Sequence, residues 1–129
     1  MKQRGFTIIE LFALILLIFI IGIVFWTQKN NIETAARDDK RKTAINAMYY
    51  SLEEVYYPAE KSYPKALTES TLPSVDPSIF KDPKGVKLGQ ANSDYSYEGK
   101  GCTNDTCKSY TLRARLENEA DFVKDSRNN

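Results

Sequence analysis

The 129-residue chain contains no histidine. Histidine is the commonest general base of enzymes and the commonest transition-metal ligand, so this chain can form neither an ordinary catalytic triad nor a histidine metal cluster. No glycine-rich loop precedes a helical pattern, so no phosphate-binding loop is indicated. The formal charge of +1 gives no electrostatic argument for a nucleic-acid partner. We therefore expect neither an enzyme nor a bound cofactor.

Cysteine is also scarce, since the chain contains only Cys102 and Cys107. A zinc site would normally need two further Cys or His ligands, which are lacking. A local disulfide is favoured over two free thiols, and such a bond persists only in an oxidising compartment, outside the cytoplasm. Acidic side chains near the C-terminal end are weak candidates for a calcium site, against the favoured alternative of a solvated polar tail. These candidates are Glu117, Glu119, Asp121 and Asp125.

Proline and glycine are absent between Ile23 and Tyr57, so one helix can run from Phe6 to about Tyr57, where Pro58 is expected to end it. Its second half, residues 27–57, is amphipathic. The charged block Arg37–Lys42 indicates a solvated helix face or a subunit contact. Apolar residues at 3-and-4 spacing indicate one buried stripe. The stripe contains Ile45, Met48, Tyr49, Leu52, Val55 and Tyr56.

The first half of this helix, residues 6–26, is long and apolar enough to span a membrane. Leu11–Trp26 contains no charged residue, and Glu10 alone interrupts the apolar run. About 20 apolar residues cross a bilayer at 1.5 Å per residue. The run is longer than the core of a cleaved secretory signal, and no small-residue cleavage site follows it. We therefore predict a transmembrane helix that the mature protein keeps.

The order Lys-Gln-Arg-Gly, then Phe-Thr-Ile-Ile-Glu-Leu, then an apolar helix closely resembles the N-terminal signal of type IV pilins and type II secretion pseudopilins. The resemblance implies that residues 1–5 are a leader and that a prepilin peptidase cuts after Gly5. It also implies methylation of the new N-terminus at Phe6. In the assembled filament, Glu10 would meet the Phe6 amine of a neighbouring subunit and so set the axial register.

Residues 58–129 are predicted to form a globular head. Five prolines between residues 58 and 83 indicate a connecting loop, with short helical turns near Leu67 and Ile79. From Asp94 onward, apolar residues alternate with polar ones, which predicts two antiparallel strands joined by a turn that the cysteines staple. Ala120–Val123 is a candidate third strand. The fold class is therefore α+β, with a long N-terminal α-helix packed on a small antiparallel sheet, as in the pilin lollipop.

The resemblance further implies a structural subunit of a type IV pilus, used in adhesion, twitching motility or DNA uptake. Its partners would be other pilin subunits in a homopolymer, the prepilin peptidase and an inner-membrane assembly platform; nucleic acid would be a partner only in a competence pilus. Before assembly the chain would cross the cytoplasmic membrane once, with its C-terminus outside, and afterwards lie in a cell-surface filament. The positive-inside rule alone does not favour this orientation, because basic residues flank both ends of the span.

Two alternatives remain open from the sequence. The nearest is a type II secretion pseudopilin or a minor pilin. The other is a monomeric, signal-anchored binding module that uses a tyrosine-rich head. Its central residues would be Tyr49, Tyr50, Tyr56 and Tyr57.

Overall fold

The computed structural model describes residues 7–128, so the predicted processing positions Gly5 and Phe6 lie outside the described residues. The chain divides into two compact units, Met1–Thr34 and Ala35–Asn129. Helix α1 spans Ile8–Ser51 and contributes residues to both units. The described part of the first unit is helical from Ile8 onward. The second unit contains the remaining elements.

Helix α1 continues into a π-helical turn, Leu52–Tyr56, and a final turn, α2, at Tyr57–Glu60. The prediction that Pro58 ends the helix is therefore wrong. A proline inside an α-helix normally clashes with the carbonyl four residues before it, and the widened π turn relieves that crowding. The helix ends instead at Lys61, which adopts the left-handed conformation (φ 54°) and donates its N–H to the Tyr57 carbonyl.

The strands form two antiparallel sheets. Strands β2 (Tyr95–Lys100), β4 (Ser109–Ala114) and β5 (Phe122–Asp125) lie in the order β2-β4-β5. Strand β1 (Tyr63–Pro64) pairs with β3 (Thr106–Cys107). The two strands expected from alternation are confirmed, and the third begins at Phe122 rather than Ala120. The predicted α+β layout is therefore observed.

The core lies between α1 and the inner face of the larger sheet. Alternation along β4 places Tyr110, Leu112 and Ala114 on that face, where each is at most 1% exposed. The predicted helix stripe is confirmed at Ile45, Met48 and Leu52, which are fully buried, whereas Val55 is 55% exposed. The π turn explains the difference, because its extra residue rotates the positions that follow Leu52. Glu53 therefore faces inward and Val55 faces solvent.

The proline-rich segment between the helix and β2 covers the remaining side of the core. Its short 3₁₀ helix, Pro77–Phe80, confirms the turn expected near Ile79, and Asp76 caps it by accepting the Ser78 N–H at 2.8 Å. Near Leu67 there is a hydrogen-bonded turn rather than a helix. Asp82 accepts the N–H groups of Lys84, Val86 and Asp94. This segment is therefore ordered by side-chain hydrogen bonds to its backbone.

Candidate functional site

The apolar half of α1 is exposed on every side. All residues from Thr7 to Glu33 are exposed, including Phe12 at 70% and Phe25 at 76%. Among the described residues one helix, Ile8–Glu60, is long and apolar enough to cross a membrane; its most apolar window has a mean hydropathy of 3.2, and none of that window is buried. A helix that is apolar all round needs lipid or other apolar helices around it. The segment is therefore compatible with membrane anchoring.

Thr7 and Glu10 join the first turn of this helix by reciprocal hydrogen bonds. The Thr7 N–H donates to Glu10 Oε2 at 2.9 Å, and the Thr7 hydroxyl donates to the same oxygen at 3.1 Å. The Glu10 N–H in turn donates to Thr7 Oγ1 at 3.4 Å. This arrangement is a capping box, which satisfies N–H groups that the first helical turn leaves without partners. Glu10 Oε1 makes no hydrogen bond within residues 7–128.

Glu10 therefore has a role inside its own chain that the sequence reasoning missed. The signal was readable, since a threonine followed three residues later by a glutamate before an apolar run is the pattern of a capping box. The predicted contact with the Phe6 amine of another subunit involves a residue outside the described range. It stays a prediction.

A buried ionic cluster surrounds Arg41 in the second unit. The Arg41 side chain is fully buried, and its guanidinium donates to Asp38 (2.8 Å), Asp94 (2.9 Å) and Glu117 (2.8 Å). Asp38 also accepts the N–H groups of Glu117 and Asn118 at 3.0–3.1 Å. The cluster connects α1 to the residues that precede β2 and follow β4. Two members of the charged block are thus buried structural residues, not part of a solvated face.

The contacts in this cluster favour the charged forms of Arg41, Asp38 and Glu117. Burial alone would lower the pKa of Arg41, but hydrogen bonds to Glu117, Asp94 and Asp38 outweigh it and raise the pKa. Hydrogen bonds from Arg37 and Arg41 lower the pKa of Glu117 to about 2. Burial opposes ionisation of Asp38, yet backbone N–H donors and Arg41 bring its pKa below the usual value. Arg41, Asp38 and Glu117 are therefore ionised at neutral pH.

A second buried carboxylate, Glu53, lies in the π turn among tyrosines. It accepts the Tyr110 hydroxyl at 2.9 Å, the Tyr63 hydroxyl at 3.1 Å and the Arg127 N–H at 3.2 Å. Burial, together with the contact to Glu53, raises the pKa of both tyrosines. Glu53 thus connects the π turn to β1, β4 and the residues after β5. Sequence pattern could not find it, because regular helical spacing places this glutamate outside the stripe.

The four acidic residues that are weak calcium candidates each contact different partners. Among the described residues there is no group of three or more His, Cys, Asp or Glu side chains that could hold a metal ion. The four carboxylates are therefore not brought together. Their partners are Arg37 and Arg41 for Glu117, Lys42 for Glu119, Arg113 for Asp121 and the Thr111 hydroxyl for Asp125.

The expected disulfide is present between Cys102 and Cys107, in the turn that leads from β2 to β4. Both sulfurs lie against Gly99. A Cβ atom at that position would stand 2.6 Å from Cys107 Sγ and 3.1 Å from Cys102 Sγ, closer than such atoms can approach without displacement. Glycine at position 99 is therefore what lets the disulfide pack against β2.

The tyrosines of the alternative binding module do not form one open patch. Tyr50 is 52% exposed and meets Tyr49 edge to face at 5.5 Å, whereas Tyr57 stacks at 5.0 Å on the buried Tyr63. Tyr56 is half-buried. A cavity of about 400 Å³ lies elsewhere, between α1 and residues 78–83.

Comparisons with known proteins find no relative: no family model, no curated protein and no solved structure matches the chain.

Proposed function

We propose that the chain is a structural subunit of a type IV pilus, which assembles by packing of its N-terminal helices into an extracellular filament. The observation that carries the proposal is the helix exposed on all sides from Thr7 to Glu33, with a carboxylate near its start. The N-terminal sequence resemblance supports it. The second unit supports it less specifically, as a folded head with its own core.

The apolar residues explain why such a helix can occupy two environments. Lipid tails and neighbouring apolar helices are about equally apolar, so moving from one to the other changes the hydrophobic free energy little. Helix packing and polar contacts then decide the balance between membrane and filament. A residue with a specific polar contact in the filament would therefore have a large influence on assembly.

Glu10 is the residue proposed for that contact. Its Oε2 atom holds the two Thr7 donors, while Oε1 has no partner within the described residues. One carboxylate can thus cap its own helix and still accept a hydrogen bond from the Phe6 amine of a neighbour. Because an unpaired charge among apolar helices is costly, the pair would select one axial register more than it would add stability.

Mass spectrometry of the N-terminus tests the proposal most directly. In cells with an active prepilin peptidase, the mature chain should begin with methylated Phe6, and a Gly5→Leu variant should keep its leader. Intact residues 1–5 on the unaltered chain in such cells would refute the proposal and favour the monomeric anchored module.

Filament imaging of Glu10→Ala tests the register role. We expect normal processing and membrane insertion but few filaments. Glu33→Ala is the matched control, since Glu33 is an exposed glutamate on the same helix beyond the apolar run, and it should assemble normally. An ordinary number of filaments from Glu10→Ala would contradict the register role.

The abundance of the chain in purified fibres separates the remaining alternatives. A major pilin should be the dominant protein of the fibres, whereas a trace amount would indicate a minor pilin or pseudopilin.

A further inference from the structure

The two cysteines of the disulfide differ in their exposure to solvent. Cys107 belongs to β3, is 2% exposed and pairs across the sheet with the buried Tyr63. Cys102 is exposed. Gly99 closes the side of the bond that faces β2. Because a thiolate must reach a sulfur atom to exchange with it, an external thiol can approach Cys102 but not Cys107.

The turn that carries Cys102 also has contacts that do not involve sulfur. The Thr103 N–H donates to the Thr106 carbonyl at 2.8 Å, and the Thr106 N–H donates back at 3.3 Å. The Lys65 N–H donates to the Asp105 carbonyl at 3.0 Å and so joins the turn to the residue after β1. These bonds do not involve the sulfurs, so they can hold the two thiols close together after the disulfide opens. Closure is then an intramolecular step with a high effective concentration.

We propose that Cys102 is the site at which an external thiol–disulfide couple makes and breaks this bond, and that Cys107 is the buried resolving thiol. In oxidation, the Cys102 thiolate attacks one sulfur of an external disulfide, forms a mixed disulfide and releases one thiolate. The Cys107 thiolate then attacks Cys102 Sγ, closes the bond and releases the second thiolate. The two cysteines lose two electrons and two protons, and the external disulfide gains them as two thiols.

Reduction follows the reverse route. The external thiolate attacks Cys102 Sγ, and Cys107 leaves as the thiolate. A second external thiol then attacks the mixed disulfide and frees Cys102, while the external pair becomes a disulfide. This chemistry does not depend on filament formation, so its test is independent of the proposed function.

Single-cysteine variants of the full chain in detergent micelles test the assignment. Reduced Cys107→Ser and Cys102→Ser are mixed with glutathione disulfide, quenched with acid at intervals and analysed for the glutathione adduct by mass spectrometry. Since thiol reactivity follows exposure, we expect Cys107→Ser to react at least about tenfold faster than Cys102→Ser. In urea the shielding disappears and the two rates should agree within about twofold. Equal rates in the folded variants would overturn the proposal.

The unaltered protein provides a second measurement that needs no variant. The oxidised chain is treated briefly with reduced glutathione, quenched with acid and freed of excess glutathione; it is then unfolded in urea and labelled with a maleimide, and the products are located by fragmentation. We expect glutathione on Cys102 and maleimide on Cys107. The opposite distribution, or a disulfide that glutathione does not open, would overturn the assignment.

Discussion

Replacing Arg41 with alanine is expected to destabilise the second unit by about 3 kcal/mol. Arg41 contacts Asp38 and Asp94, whose side chains are only 3% and 6% exposed. Removing one partner of a buried ion pair typically costs about 3–5 kcal/mol. We expect the lower end of this energy range, because both carboxylates keep other partners in the variant. Asp94 still has Lys84 at 3.1 Å, and Asp38 still accepts hydrogen bonds from backbone N–H groups. At roughly 4–8 °C per kcal/mol, Tm should fall by roughly 12–24 °C.

Urea unfolding of the full chain in micelles, followed by near-ultraviolet circular dichroism of the buried tyrosines, measures this loss. Arg37→Ala is the matched control, since its ion pair with Glu117 is partly exposed on both sides (35% and 27%). Such pairs contribute about 0–1 kcal/mol. A loss of less than about 1 kcal/mol for Arg41→Ala, or one no larger than the loss for Arg37→Ala, would contradict this prediction.

The pH dependence gives an independent check of the same cluster. The folded chain lowers the pKa of Asp38, and that of Glu117 to about 2, so these carboxylates bind protons less readily than in the unfolded chain. Their contribution is therefore complete above the unfolded pKa and is lost as the pH falls through the folded one. Stability should decline between about pH 4.5 and pH 2. In Arg41→Ala the decline should be smaller, and an equal decline would contradict this account.

Three further substitutions test other contacts. Gly99→Ala should cost about 1–3 kcal/mol, because the added methyl group overlaps Cys107 Sγ; urea unfolding and maleimide labelling check it, and unchanged stability with full oxidation would contradict it. Thr7→Val should destabilise the first turn of the helix by roughly 0.5–2 kcal/mol. Amide hydrogen exchange in that turn should become faster in Thr7→Val but not in Thr7→Ser, which keeps the hydroxyl. Glu53→Gln should cost about 1–3 kcal/mol through mismatched donors, whereas the neighbouring exposed Glu54→Gln should change stability little.

Local periodicity accounts for the parts of the fold that could be predicted. The long helix follows from the apolar run and from the absence of proline and glycine between Ile23 and Tyr57, and β4 follows from strict alternation between Tyr110 and Ala114. Both patterns involve residues only a few positions apart, so they can be read directly from the sequence. The turn with the disulfide was found for the same reason, since its two cysteines are close in the chain.

The contacts that hold the second unit together depend on residues far apart in sequence, and these could not be predicted. Arg41 contacts Asp94 and Glu117, which lie 53 and 76 positions away in the sequence, so the charged block looked like a solvent-facing surface. Glu53 lies in the widened turn and is buried against tyrosines from distant parts of the sequence. The capping box differs from these cases, because its two members are three residues apart and its pattern could have been recognised.

The π turn also limits how the second unit can be transferred to another protein. A single extra residue at Leu52–Tyr56 divides the helix into two stretches with different angular phase. Deleting one residue inside the turn, such as Glu54, should restore a regular helix and keep the residues after the turn on their present faces, because a π turn is an α-helical turn with one residue inserted. A chimera should therefore be joined before Leu52, and an alignment that assumes one unbroken helix would pair every later position with the wrong neighbour.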